Sequence, residues 1–331
     1  MKAAFLEEPH KITFQTIAIP EPKAGEVRIK LSKVGICGSD VHLFMGHRTL
    51  AKPTVIGHEG LGYIDKIGEG VEGRQVGERV VVEPNIPCHR CRYCQSGRGN
   101  ICINKRVVGL LENGCFAEYV CIPSEFAWPV PDDISDLDAV CIEPMAVAVH
   151  ALFVSSAKPG DSIAIIGLGA IGLLLNHLAI RLGYKVLVTE INEEKLRKAT
   201  EEGAIVANGD TQALHTAWLA NEVVAVFECA GSALTATLAA AAAPRGAEVV
   251  LVGLSEKSAE FTPLRIAREG ITFVPSIIYD HPTDFKRTLQ LIQRKVLSPS
   301  KIISSFAPLS TLQTALEKAA KGSESKIIVT I

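Results

Sequence analysis

The 331-residue sequence has no basic excess. Its 34 Lys and Arg stand against 36 Asp and Glu, for a formal charge of −2. Nucleic acid is therefore excluded as the main partner, because a phosphate backbone is bound by clustered surplus cations. Glycine (27) and proline (17) are not in excess, which excludes collagen-like and low-complexity chains, and no internal repeat is present. The opening MKAAFLEEPH has no apolar run behind its lysine, so a cytoplasmic protein is expected. The nine cysteines are an odd number and cannot all pair. In a reducing compartment they are better read as thiols or metal ligands than as disulfides. Long hydrophobic runs are also missing, with one exception. The 18 residues from Ile163 to Ile180 are mostly apolar. That stretch holds three glycines, Asn176 and His177, with Asp161 and Arg181 at its flanks. It reads as a buried strand, turn and helix, not a membrane span.

What is present suits a globular chain. Hydrophobic residues make up 47%, and the length fits two domains at roughly 150 residues each. The first 145 residues read as strands and turns, with Val27, Ile29 and Leu31 alternating with polar residues. After about Ala146 short apolar runs alternate with helical ones. Strands are expected at Ser162–Ile166, Val186–Thr189, Val223–Phe227, Glu248–Val252 and about Ile271–Ile278. Helices are expected over Ala170–Leu182, from an Asn192 cap to Gly203, and over Ala233–Ala243. This rhythm predicts a doubly wound parallel α/β sheet. The stretch Ala204–Glu222 is poorly patterned. In the tail, Phe285, Leu289, Ile292 and Val296 share a helical face, and Leu312–Ala319 repeats the pattern behind a possible Ser310 cap. A closing strand is expected at Lys326–Thr330. The tail is expected to return to the first domain. The expected domains are 1–146 with 278–331, and 147–277.

Three constellations carry chemistry. Gly167-Leu168-Gly169-Ala170-Ile171-Gly172 follows a strand and opens a helix, the context in which G-x-G-x-x-G cradles a pyrophosphate. The helix N-terminus adds free amides and positive dipole. Glu190, at the end of the next strand, suits both ribose hydroxyls of NAD and repels the 2′-phosphate of NADP. Cys88, Cys91, Cys94 and Cys102 lie within fifteen residues and suit a closed, structural Zn²⁺ site. An iron–sulfur cluster is the competing occupant, disfavoured by the gaps. Cys37 and His58, with carboxylates nearby, suit a catalytic zinc that keeps one position open. On their own, two residues so far apart would more often be core residues.

The stretch from Gly57, G-H-E followed by Gly62, Gly68 and Val71, resembles the zinc signature of the medium-chain alcohol dehydrogenase superfamily. The CGSDVH stretch, the four-cysteine lobe and the GLGAIG turn follow in that family's order. Glu143-Pro144 before AVAVHA, and the Phe227–Gly231 strand end, are similar to its polyol (sorbitol-type) and threonine dehydrogenase branch. The resemblance implies a Rossmann domain beside a mainly β, GroES-like catalytic domain, with the active site in the cleft between them. It implies two zincs per chain, NAD, a small polar alcohol as substrate, no membrane partner, and a homodimer or homotetramer. Cys37 and His58 would bind the catalytic zinc, with Glu59 or Glu143 completing the site. Asp40 would hold the free nitrogen of His58, and Ser39 would pass the substrate proton to His42. Cys229 and Gly253 would join the glycine turn at the cofactor.

Two alternatives accompany this reading: an L-threonine 3-dehydrogenase-type enzyme, and a non-catalytic NAD-binding zinc protein. The sequence also departs from the branch. Ile278-Tyr279 stands where sorbitol-type members place Arg-Tyr, and the loop between His42 and Gly57 is short. The remaining histidines, including His10, His150, His177 and His215, are read as core or surface residues.

Overall fold

Strand Glu26–Gly35 shows how the pattern becomes a sheet. Val27, Ile29 and Leu31 are buried as the alternation predicts. A register shift between Leu31 and Lys33 then changes the phase, so that Val34 is also buried. This strand pairs antiparallel with Glu59–Ile67, Tyr119–Pro123 and Ile327–Thr330 in a seven-stranded sheet. Lys2–Glu8, Lys11–Thr16 and Thr54–Val55 form a second, three-stranded sheet. Their inner faces share one core with Phe44, Phe116 and Phe126.

The computed structural model describes residues 1–331. The chain divides into two units, Met1–Glu143 with Ser298–Ile331, and Pro144–Leu297. The mainly β first unit and the α/β second unit have the fold class expected from the sequence.

The second unit is built on six parallel strands. Across the sheet they run Ile205–Val206, Lys185–Thr189, Ser162–Ile166, Val223–Glu228, Glu248–Leu251, Thr272–Pro275. The chain starts in the middle, winds to one edge, returns, and winds to the other. That is the doubly wound order, with its switch point beside the first strand. The apolar run 163–180 is the strand Ser162–Ile166 and the helix Ala170–Arg181. No helix is long and apolar enough to cross a membrane.

Four local details differ from the sequence reading. The unpatterned stretch holds the strand Ile205–Val206 and the helix Thr211–Ala220, whose cap Asp210 accepts from the Ala213 amide at 2.9 Å. Only Leu214 and Trp218 of that helix are buried, and the exposed Leu219 beside them blurs this single i,i+4 pair. Helix Thr283–Gln293 belongs to the second unit, and the division falls at Ser298 instead of 278. Asp284 on that helix explains why, because it bonds the buried His150 of helix Ile142–Val154 at 2.8 Å. Ser310 caps nothing. It lies inside the 3₁₀ turn Leu309–Thr311, and Thr311 holds the cap position of helix Leu312–Ala320. A short helix, Gly38–Phe44, occupies what the sequence showed only as part of a strand-and-turn region. His177 and His215 are satisfied, by Glu202 at 2.8 Å and the Ala242 carbonyl at 3.0 Å.

Candidate metal and cofactor sites

The turn of helix Arg92–Gln95 folds the cysteine lobe onto itself. Cys91 and Cys94, one helical turn apart, bring their sulfurs to 3.5 Å, and Cys91 and Cys102 to 3.9 Å. The donor atoms of Cys88, Cys91, Cys94 and Cys102 all lie within 4.8 Å of one another. The amides of Cys88 and Asn104 point at the Cys102 sulfur from 3.3 and 3.4 Å. The Arg90 amide, with help from Cys91 and the neighbouring thiols, holds the Cys88 thiol down to about 6. Burial pushes the Cys94 thiol up to about 12. Four converging sulfurs supported by N–H donors fit a closed tetrahedral site.

The second cluster is assembled from farther apart. Cys37 precedes helix Gly38–Phe44, and His58 and Glu59 sit at the start of strand Glu59–Ile67. The donor atoms of Cys37, His58 and Glu59 also lie within 4.8 Å of one another. The fully buried Asp40 ties the two segments together. Its Oδ2 accepts from the Cys37 amide at 2.9 Å and its Oδ1 from the Gly57 amide at 3.1 Å. The expected Asp40–His58 hydrogen bond is not formed. The His58 Nδ1 stands 3.5 Å from Asp40 Oδ1, an electrostatic contact only, and this buried nitrogen has no hydrogen-bond partner. Burial works against protonation of His58. Asp40 and Cys37 outweigh it and hold the imidazole pKa well above its ordinary value. A thiol, an imidazole and a carboxylate converging in this way are a zinc-type donor set that supplies three of the four ligands of a tetrahedral ion.

Glu59 has a partner that the sequence reading missed. Lys326 Nζ donates to both its oxygens, at 2.7 and 2.8 Å, and to the Ile36 carbonyl at 3.1 Å. Both side chains are almost fully buried. Burial alone would lower the Lys326 pKa, but Glu59 and Cys37 raise it well above the usual lysine range. Gly35 makes room for the carboxylate, since a Cβ there would lie 1.9 Å from Glu59 Oε2. The only sequence signal was a lysine in an otherwise apolar closing strand. Glu143 is buried at the start of helix Ile142–Val154 and stands outside the Cys37–His58–Glu59 group. Ser39 and His42 lie on helix Gly38–Phe44, half-buried and exposed respectively.

The glycine turn is shaped as its spacing requires. Gly167 has φ +89°, and a Cβ there would meet Ala230 at 2.7 Å. A Cβ at Gly172 would lie 2.0 Å from the Gly167 carbonyl. A Cβ at Gly169 would meet nothing within 4 Å, so open space lies in front of the backbone where a pyrophosphate would approach. Ala170 and Ile171 open the helix behind the turn. Glu190 supports this loop directly. Its Oε2 accepts from the Leu168 amide at 2.7 Å, and its Oε1 from Ile191 and Asn192 at 2.8 and 3.0 Å. Cys229 follows its strand and packs under the turn against Gly172. Gly253 lies past the next strand, where a Cβ would strike the Gly231 amide at 2.2 Å. The sheet therefore gathers these residues at the carboxyl ends of adjacent strands.

Residues 23–132 match the alcohol dehydrogenase GroES-like domain, and residues 170–294 the zinc-binding dehydrogenase domain. The starvation-sensing protein RspB of Escherichia coli is 33% identical over 92% of this chain and 91% of its own. The sorbitol dehydrogenase of Bacillus subtilis is 30% identical over 96% and 93%. A crystal structure of RspB from E. coli CFT073 with NADH superposes with TM-score 0.93 and 30% identity, covering 100% of this chain and 99% of that one. A zinc-binding dehydrogenase of Sinorhizobium meliloti bound to NADP gives TM-score 0.91 and 31% identity over 100% and 99%.

Proposed function

Because the chain belongs to the zinc-containing medium-chain alcohol dehydrogenases, in their polyol branch, we propose that it oxidises a secondary hydroxyl of a polyol, cyclitol or sugar acid with NAD. The observation that carries this reading is the convergence of Cys37, His58 and Glu59 within 4.8 Å, with Ser39 and His42 on the helix that starts beside Cys37. Zinc held by Cys37, His58 and either Glu59 or Glu143 would supply the Lewis acidity that favours the alkoxide form of the alcohol. A second zinc, held by the four cysteines of the lobe, would be structural.

The balance is that of a simple dehydrogenation. Bound NAD would supply the hydride acceptor for the carbinol carbon, and the hydroxyl loses a proton. Ser39 takes that proton and His42 carries it to solvent, a positioned transfer worth roughly 10²–10⁴-fold. The ketone is left as product. NAD is the preferred cofactor in this reading, because the Glu190 carboxylate would face the 2′-phosphate of NADP. Its bonds to three loop amides give it a second task, holding the turn in the shape that receives the pyrophosphate. The NADP-bound S. meliloti relative makes this preference a matter for direct measurement.

The test is a cofactor-reduction screen over polyols, cyclitols, sugar acids, threonine and simple alcohols, with metal analysis of the same preparation. The expected result is two zincs per chain and turnover of a polyhydroxylated secondary alcohol. If one zinc is found and no alcohol is turned over, the chain is a non-catalytic binder. If ethanol or butanol matches the best polyol in kcat/KM, the polar-substrate reading fails.

A further inference from the structure

From Val41 to His58 the sequence reads VHLFMGHRTLAKPTVIGH, with no aspartate or glutamate. The stretch carries His42, His47, Arg48 and Lys52, all exposed. The molecule as a whole has slightly more acids than bases, 36 against 34, so this segment runs against the sign of the chain. Neither Arg48 nor Lys52 has an ion-pair partner.

The position of the segment makes this charge informative. It leaves the Cys37 side of the metal cluster and returns at His58, and both ends are pinned to the carboxylate of Asp40. It is a strap whose two roots are metal-ligand candidates. Inside it the chain folds back after helix Gly38–Phe44. The amides of His47 and Arg48 donate to the His42 carbonyl at 2.9 and 3.3 Å. The rings of His42 and His47 then lie 5.4 Å apart, with their Nδ1 atoms at 3.2 Å. That contact requires one nitrogen to donate and the other to accept, so the two imidazoles are held as one unit, and the Arg48 backbone is tied to the same turn.

We propose that this strap recognises an anionic group on the substrate, so that the alcohol oxidised is a sugar acid or a sugar phosphate, not a neutral polyol. The inference rests on the dehydrogenase reading above and narrows its substrate class. Arg48 offers a planar fork suited to carboxylate or phosphate, and Lys52 a second charge. Cations on a segment rooted at two ligand candidates would raise the local concentration of anionic substrate.

The test compares a six-carbon aldonate, the matching alditol and its monophosphate, using wild-type holoenzyme and an Arg48→Ala/Lys52→Ala double variant. Wild type should favour one of the two anionic compounds over the alditol in kcat/KM by roughly tenfold to a hundredfold, within the range of electrostatic focusing. Which of the two is favoured distinguishes carboxylate from phosphate. The double variant should lose that preference while keeping alditol turnover and thermal stability, and added salt should weaken the anion preference of wild type. Calorimetric titration of the favoured anion should show weaker binding to the variant. Equal wild-type rates on alditol and anions, or a variant that loses both in proportion, would overturn the inference and leave the dehydrogenase reading standing. Absence of turnover on every alcohol would remove both.

Discussion

The two donor clusters of the first unit differ in how they are made. The cysteine lobe draws its four ligands from one stretch of fifteen residues, and its neighbours contribute little beyond backbone amides. The Cys37–His58–Glu59 cluster joins a helix start to a strand start through Asp40, and balances its carboxylate with Lys326 from 267 positions downstream. The first is a closed set that a local sequence can specify. The second depends on charges that only the folded unit brings together, and it has fewer protein donors.

Exchanging one ligand in each cluster tests this contrast most sharply. Cys37→Ser should lower alcohol oxidation by about three orders of magnitude or more, given the several kcal/mol a catalytic metal supplies, and leave the thermal transition nearly in place. Cys94→Ser should do the reverse, lowering the transition or the yield of soluble protein. Metal analysis should give one zinc in each case. If both variants lose the same property, the two clusters do not have separate jobs.

Lys326→Met probes the long-range balance. Removing the ammonium leaves the Glu59 carboxylate buried and uncompensated, at a cost of about 3–5 kcal/mol. Denaturant titration should show that loss, and adding Glu59→Gln should restore most of it. An unchanged unfolding midpoint in the single variant would mean that Glu59 has another partner.

Glu190→Ala carries the comparison into the second unit. It should reduce the ratio of NAD to NADP in kcat/KM by tenfold to a hundredfold, the equivalent of about 2–3 kcal/mol for like charges in partial desolvation. It should also raise KM for both cofactors, because the Leu168, Ile191 and Asn192 amides lose their acceptor. Full retention of the NAD preference would place its cause elsewhere.

The smallest expected effect is at Glu228, a buried carboxyl whose pKa burial raises above its ordinary value of 4.5, against bonds from Thr235, Gly231 and Ala230. A carboxyl raised in this way binds its proton more tightly folded than unfolded. Its contribution is most favourable below 4.5 and falls as pH rises through the folded value. Glu228→Gln keeps the acceptor oxygen and removes the charge, so its stability should vary less with pH from 4.5 upward. Parallel pH profiles for variant and wild type would exclude Glu228 as the source.

Where spacing alone fixes geometry, the sequence was readable. The parallel sheet, the glycine turn with Glu190, and the four-cysteine lobe all arise from residues close in the chain. Leu214 and Trp218 on an otherwise mixed helix gave too little periodicity to read. Helix Thr283–Gln293 was recognised as a helix, but its place was decided by the bond from Asp284 to His150, which no local pattern announces. Asp40 faces His58 at 3.5 Å as its residue type suggests, but its oxygens also accept from the Cys37 and Gly57 amides. Backbone donors are invisible in a list of side chains. Lys326 shows in the sequence only as the start of the closing strand, and its contact with Glu59, 267 positions away, has no local signal.

The Glu59–Lys326 pair also sets an order on synthesis. A ribosome delivers Cys37, His58 and Glu59 early. Until residue 326 has left the exit tunnel, the Glu59 carboxylate has no ammonium to meet in the dry interior of its sheet. Burying that carboxylate without its ammonium would be costly, so this part of the first unit gains its full stability late. The Cys37–His58–Glu59 cluster therefore reaches its final charge balance only after the residues of the second unit, which lie between Glu59 and Lys326 in the chain, have been made.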